Sequence, residues 1–253
     1  MNAILETVHG KEKHAVVSAQ EWLVARKRHL EKEKEFTHLR DELSRLRREL
    51  PWETVGKAYL FDTHEGKRSL ADLFDGRSQL IVYHFMLGPG WKEGCHGCSF
   101  VSDHIDGMVP HLTHHDVSLV VVSRAPLAEI DAFKQRMGWR FKWVSSDGSD
   151  FNYDYHVSFG EKDRVDGKIA YNYRDDAKGG EEQPGASVFY KDPEGRIFHT
   201  YSTYERGLDI LVGTYNYLDL SPKGRNEKSA MDWMKHHDKY EDALEAHACC
   251  AGH

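Results

Sequence analysis

The order of apolar runs predicts an α/β fold, a central mixed sheet flanked by helices with a long charged helix ahead of it. Gln79 to Met86 and Val117 to Ser123 are strand-length runs with almost no polar face, as strands covered on both sides require. A helix-like stretch from Ser99 to about His114 lies between them and another, Leu127 to Met137, follows the second. Strand, helix, strand, helix is the succession of a parallel sheet with right-handed crossovers. Ser187 to Tyr190 and Ile197 to Tyr201 then flank Asp192-Pro193-Glu194-Gly195, turn chemistry that closes an antiparallel hairpin and makes the sheet mixed.

From Lys11 to Leu50 the chain carries 11 Lys+Arg and 8 Asp+Glu, with Trp22, Ala25, His29, Phe36, Leu39, Leu43, Leu46 and Leu50 in steps of three, four and seven. That is the period of a charged rod with one apolar stripe, a surface for packing on the body or on a second copy of the chain. Ser18 followed by Glu21 is a capping-box signature, and Pro51 a stop. Residues 1–50 are therefore expected to form a helical extension, 51–225 the principal domain and 226–253 a polar tail. Within the domain, Ala58 to Phe61 reads as a strand before the turn Glu65-Gly66-Lys67, Leu70 to Phe74 as a brief helix, and Phe141 to Ser145 as a third strand. Gly160 to Pro184, polar and without periodicity, is expected to be a long mobile loop. Leu208 to Tyr217 and a stretch around Met231 to Leu244 read as short helices.

Of the 253 residues, 34 are Lys+Arg and 41 Asp+Glu, a net charge of −7. The N-terminal stretch is net +3, so the remainder carries −10. An acidic body is a poor ligand for phosphate backbones, and nucleic acid is not an expected partner. The longest apolar runs are strand-sized, so no membrane span is expected, and with no basic, apolar and small-residue succession at the N-terminus the expected location is cytoplasmic. Glycine-rich nucleotide loops and the serine-hydrolase elbow are missing from the sequence.

Four cysteines form two close pairs, Cys95-His96-Gly97-Cys98 and Cys249-Cys250. The first follows a buried strand and a glycine-rich turn and precedes a helix, a context that favours a thiolate at the first cysteine. Cys95 is expected to attack and Cys98 to resolve, the spacing allowing one helical turn to bring the sulfurs within disulfide reach. His96 would add positive charge beside the thiolate, and Trp91 an apolar wall for a partner. A metal reading competes, since Cys95-x2-Cys98-x12-His111-x3-His115 matches zinc-finger spacing. Against it, six of the 17 histidines lie between His84 and His115, which makes accidental matches easy, and Pro110 interrupts the stretch before His111. A pair of inert thiols is the third reading. Cys249 and Cys250 sit in the polar tail, where they read as an ordinary chain end or as a relay of electrons to the central pair. Arg124, directly after a strand, Arg206 and the Tyr- and Asp-rich stretch from Asp147 to Tyr155 are candidates to line a cleft at the carboxyl ends of the strands.

Trp91, Cys95-x-x-Cys98 and the surrounding order of elements resemble the thioredoxin fold. More closely, Leu80-Ile-Val-Tyr-His-Phe-Met86, Gly94-Cys-His-Gly-Cys-Ser-Phe100, Val121-Val-Ser-Arg-Ala-Pro126, Arg136-Met-Gly-Trp139, Trp143-Val-Ser-Ser146, Gly148-Ser-Asp-Phe-Asn-Tyr153 and Phe198-His-Thr-Tyr-Ser-Thr-Tyr204 are similar to a thioredoxin-like family, domain of unknown function 899. The resemblance implies a thioredoxin-like fold, and the family has no established reaction; the Cys95 and Cys98 pair is what leads us to expect a thiol-disulfide oxidoreductase acting on protein or small-molecule thiols and disulfides, with no cofactor beyond its redox-active disulfide. Zinc remains the alternative, in a non-catalytic binding module. Peroxiredoxins carry Pro-x3-Thr-x2-Cys, but Lys92 stands at the Thr position and Pro89 is one residue too close, so peroxidase chemistry is not expected. Thioredoxins place a cis-proline before the hairpin strand, and Pro184 is the candidate for that position.

Overall fold

The computed structural model describes residues 14–240 together with Ile4–Leu5, which pairs antiparallel with His14–Ala15. The chain divides at Leu50 and Pro51. In the first unit, helix α1 spans Ala19–Arg48. Its start is fixed by a complete capping box, in which Glu21 N–H donates to Ser18 Oγ (3.3 Å) and Ser18 N–H to Glu21 Oε2 (3.0 Å). No residue of α1 is buried, and Trp22, Phe36, Leu39 and Leu43 are each more than half exposed.

The second unit begins with three short strands, β1 (Glu53–Thr54), β2 (Leu60–Thr63) and β3 (Gly66–Ser69). Strand β4 (Gln79–His84) leads through the glycine turn to α2 (His96–Ser102) and α3 (Val109–His114), and β5 (Val117–Ser123) follows. Next come α4 (Leu127–Arg136), β6 (Trp143–Ser145) and the one-turn α5 (Phe151–Asp154). A meander of β7 (Arg164–Val165), β8 (Lys168–Tyr171) and β9 (Arg174–Ala177) precedes the hairpin of β10 (Gly185–Lys191) and β11 (Ile197–Tyr204), and α6 (Gly213–Leu220) follows.

The main sheet has the order β1-β11-β10-β4-β5-β6-β2-β3. Strands β4, β5 and β6 run parallel, and β10 pairs antiparallel with both β4 and β11. With the hairpin on one side of the strand that precedes the Cys pair and the crossover strand on the other, this is a thioredoxin-like fold. The apolar runs are explained by two cores. Tyr83, Phe85 and Val121 face one, with Cys98, Phe100, Ile130 and Phe133, while Leu80, Val82, Val120 and Val122 face the other, with Phe61, Phe74, Phe151 and Phe189. Alternate residues of β4 and β5 thus enter opposite cores, and neither face is left for water.

Several expected elements are corrected. The single helix from Ser99 to His114 is two, beginning earlier at His96, with Pro110 accommodated in the first turn of α3. Gly160 to Pro184 is not a structureless loop but holds the meander, because Ile169, Tyr171 and Ala177 alternate inward to form a small core with Val157, Phe159 and Tyr204. The closing helix is split into the 3-10 turn Glu205–Leu211 and α6. The stretch from Asn226 is not a separate tail as far as Tyr240, since Met234 and His236 are only 6% exposed and Met231 and Trp233 pack on the first core. Residues beyond Tyr240, including Cys249 and Cys250, lie outside the described residues.

Candidate active site

The turn between β4 and α2 is pinned at both ends. Cys95 N–H donates to Met86 O (3.0 Å), and Met86 N–H points at Cys98 Sγ (3.5 Å), so the carbonyl and amide of Met86, two residues past the end of β4, hold the two cysteines in place. Gly94 is needed in this turn. A Cβ there would stand 2.5 Å from Phe85 Cε1 and 2.7 Å from Phe133 Cε1, inside any carbon–carbon contact. Cys95 is the residue ahead of α2, and Ser99 donates both N–H and Oγ–H to its carbonyl (2.9 Å each).

The two thiols are free and chemically unequal. Cys95 is partly exposed, and its pKa falls from 9.0 to about 6. The largest cause is the hydrogen bond from the Cys98 thiol; the N–H groups of Cys98 and Gly97 and the positive charge of His96 add to it, and burial opposes it. Cys98 is 2% exposed, and burial drives its thiol well above 9.0, reinforced by the hydrogen bond with Cys95 and by that sulfur's negative charge. The Tyr83 hydroxyl hydrogen-bonds Cys98 from below and pulls in the other direction. One proton shared between two sulfurs thus rests on the buried one, leaving the accessible one as the anion.

Cys95 and Cys98 open onto a cavity of about 330 Å³ lined mostly by apolar groups, with Tyr83, Val101, Leu208, Val212, Tyr215 and Met231 among them. Pro184 is also part of the lining, and β10 begins directly after it, two residues earlier than the apolar run indicates. Its peptide bond is trans, since no described peptide bond is cis, which departs from the thioredoxin pattern. The Pro184 carbonyl is held by the Tyr171 hydroxyl (2.6 Å). On the opposite wall, Glu227 Oε1 accepts from the Tyr215 hydroxyl (2.7 Å), Trp233 Nε1 (3.2 Å) and Met231 N–H (3.2 Å), which builds the 227–233 segment into the rim. Arg225 lies 3.8 Å from the centre of the Tyr215 ring and pairs with Asp209 and Asp219.

The other sequence candidates are placed as follows. His96 is exposed beside Cys95, and Arg206 lines the cavity while paired with Asp209 (2.8 Å). Trp91 is half-buried, its indole against Gly88, and does not line the cavity. Arg124 lies outside it too. Its Nε donates to Glu182 Oε1 (2.6 Å) and Nη1 to the Tyr153 hydroxyl (2.6 Å), and Ser158 donates to the other Glu182 oxygen (2.7 Å). Arg124 is thus an anchor for the segment around the meander, not a ligand of the Cys cavity. The zinc-spaced set is not assembled, for no cluster of three or more metal-ligating side chains occurs among the described residues, and His111 and His115 stay apart from the cysteines.

Sequence reasoning missed Tyr83, Tyr215 and Glu227. Tyr83 carries a legible signal, because the alternation along β4 sends it into the same core as Cys98. Tyr215 and Glu227 carry no local signal and depend on the return of the chain over the cavity.

Fold and site define a thioredoxin-fold protein with a polarised dithiol. A family model described as "Bacterial protein of unknown function (DUF899)" matches residues 11–240, and the chain belongs to that family. A search of curated proteins found no match. Among solved structures the chain is similar to the peroxidoxin BcpB from Mycobacterium tuberculosis, at 14% identity and a TM-score of 0.43, covering 67% of this chain and 97% of that one. It is also similar to a mutant PrxQ from Xylella fastidiosa (14% identity, TM-score 0.41, 66% and 95% covered). A putative protein disulfide isomerase from Bacteroides thetaiotaomicron is a third (19% identity, TM-score 0.35, 66% and 91% covered). The fold assignment rests on the strand order, and none of these similarities bears on the reaction. No helix among the described residues is long and apolar enough to cross a membrane.

Proposed function

We propose that the protein is a thiol-disulfide oxidoreductase with Cys95 as nucleophile and Cys98 as resolving thiol, acting in the cytoplasm on a protein or small-molecule disulfide. The observation that carries the reading is the unequal setting of the two thiols at the cavity, Cys95 partly exposed at the start of α2 and Cys98 2% exposed behind it, a setting that lowers the pKa of the first thiol and raises that of the second. In the reducing direction Cys95 S⁻ attacks one sulfur of a substrate disulfide. The first substrate thiolate leaves and a Cys95 mixed disulfide forms. Cys98 then loses its proton and attacks Cys95 Sγ, the second substrate thiolate leaves, and two electrons have passed from the dithiol to the substrate. The apolar cavity excludes water from the mixed disulfide and gives an apolar substrate its contact area.

A glutathione redox titration tests the reading. The Cys95–Cys98 disulfide is expected to form and break reversibly between about −120 and −320 mV, the span of reference dithiols and compartments. A pair that stays as two thiols throughout that span leaves a non-catalytic binding module as the better account. Cys98→Ser is expected to accumulate mixed disulfides on Cys95, and Cys95→Ser to accumulate none.

A further inference from the structure

A second cavity, of about 460 Å³, shares no lining residue with the Cys cavity. Its floor is aromatic. Tyr59 and Tyr155 come from the second core and Tyr204 from the core of the meander, each less than a tenth exposed. Carboxylates stand at its edge. Asp154, at the end of α5, accepts from the Tyr59 hydroxyl (2.8 Å), and Glu53 of β1 pairs in register with His199 of β11, whose Nδ1 lies 3.3 Å from Glu53 Oε2. His199 is aimed here by a bulge: Val188 pairs with Tyr201 and Phe189 with His199, so Thr200 is an extra residue in β11. Residues three apart on a regular strand point to opposite faces, but across this bulge His199 Nε2 meets Ser202 Oγ at 2.7 Å. Ser202 is held in turn by Ser187 (2.8 Å) and Ser187 by His84 (2.9 Å), so a buried hydrogen-bonded chain locks the ring that orients Glu53.

The chemistry of the walls selects a cation. The chain's own ammonium already lies on one of them, with Lys57 Nζ 5.6 Å from the centre of the Tyr59 ring, 2.7 Å from Asp154 and 2.8 Å from Asp150. Lys57 is the one Lys or Arg among the lining residues and is taken by those two carboxylates, so an anionic ligand meets no free Lys or Arg here. Glu53, by contrast, has no Lys or Arg partner among the described residues. Next to it, the edge of the His199 ring meets Tyr155 at 5.2 Å between centres. The Tyr155 hydroxyl makes no hydrogen bond among the described residues, yet it is not sealed in the core, and it opens to the cavity. Burial, then Tyr59 and the carboxylates of Glu53 and Asp154, keep it protonated well above the usual range. An oxygen that keeps its proton beside carboxylates has its lone pairs free for an N–H donor.

We propose that this cavity binds a small primary amine in its ammonium form, with N–H groups donating to Tyr155 Oη and the Glu53 carboxylate and the alkyl part lying on the tyrosine rings of the floor. The unmatched carboxylate supplies the charge, the free phenol supplies directional recognition, and the aromatic faces add attraction for the cation and contact for its chain. Binding here is independent of the thiols and of the redox reading.

The test is titration calorimetry on the full chain at neutral pH and low salt, with three probes of equal length: n-butylamine, 1-butanol and butyrate. Butylamine is expected to bind about tenfold more tightly than 1-butanol, with butyrate weakest. Glu53→Gln, at the exposed edge, and Tyr155→Phe, which keeps the ring, leave the packing of the core in place. Each is expected to weaken butylamine by roughly fivefold and to leave 1-butanol unchanged. Equal affinities for butylamine and 1-butanol, butylamine binding unchanged in either variant, or no binding of butylamine up to about 10 mM would each overturn the proposal.

Discussion

Replacing Cys98 by Ala removes the largest single contribution to the acidity of Cys95 while leaving the backbone donors and His96 in place. The fall from 9.0 to about 6 corresponds to about 4 kcal/mol of preference for the thiolate, of which burial has already taken a share. Losing the leading hydrogen bond is expected to raise the Cys95 pKa back toward 9.0, at a cost of roughly 1.5–3 kcal/mol, the range for a hydrogen bond to a charged group. Cys98→Ser keeps a hydroxyl donor and is expected to retain most of the depression. The assay is iodoacetamide alkylation of reduced protein from pH 4.5 to 9.5, with Cys95 followed by peptide mapping so that other thiols do not contribute. The titration midpoint is the readout, not the rate at neutral pH. A thiolate of higher pKa is intrinsically more nucleophilic, with a Brønsted slope of about 0.4–0.5, and this offsets much of the loss in its population. Wild type should titrate near pH 6, Ser close to it and Ala clearly above both. Equal midpoints for Ala and wild type would refute the assignment of Cys98 as the proton-holding partner.

Four further outcomes follow from the packing. Gly94→Ala is expected to cost about 1–3 kcal/mol of stability in denaturant titration by forcing a methyl against Phe85 and Phe133; an unchanged midpoint would show that the turn is looser than this. Arg124→Met leaves Glu182, 2% exposed, without its counter-charge and should destabilise by about 3–5 kcal/mol, yet leave the Cys95 titration midpoint in place because Arg124 is outside the cavity. His84, buried with Nε2 on Ser187 Oγ (2.9 Å) and Nδ1 unpartnered, has its pKa lowered from 6.5 to about 3 by desolvation. The unfolded chain therefore takes the proton first. The contribution is complete above pH 6.5 and is lost as pH falls toward 3, by at most about 1.4 kcal/mol per pH unit; a His84→Phe variant with the same pH slope as wild type would contradict it. The exposed stripe of α1 is expected to mediate self-association, so Phe36→Glu/Leu43→Glu should lower the oligomeric state in sedimentation velocity, and a wild-type monomer at tens of μM would end that idea.

The local patterns of this chain determine element type, the cap of α1 and the strand-to-helix setting of the Cys pair. Periodicity works there because each residue's face follows from its neighbours three, four or two positions away. Strands β4 and β5 were legible for that reason, as was the hairpin through its turn residues. The meander was not, because the alternation of Ile169, Tyr171 and Ala177 is too short to rise above its polar surroundings. Arg124 illustrates the same limit at the candidate site. Its position after a strand is a local fact, but its role was decided by a buried carboxylate 58 residues away that required a counter-charge. The cavity is likewise a tertiary product. Tyr83, Pro184, Tyr215 and Glu227 come from distant parts of the chain and meet because the sheet order β11-β10-β4 brings the hairpin's start beside the Cys turn and the following segment returns over it. The sequence alone placed the thiolate at Cys95, because a strand-to-helix junction is a local feature; only the fold decided how far the two sulfurs differ, with Cys95 partly exposed at the cavity and Cys98 buried, because solvation and hydrogen bonding there depend on residues distant in the chain.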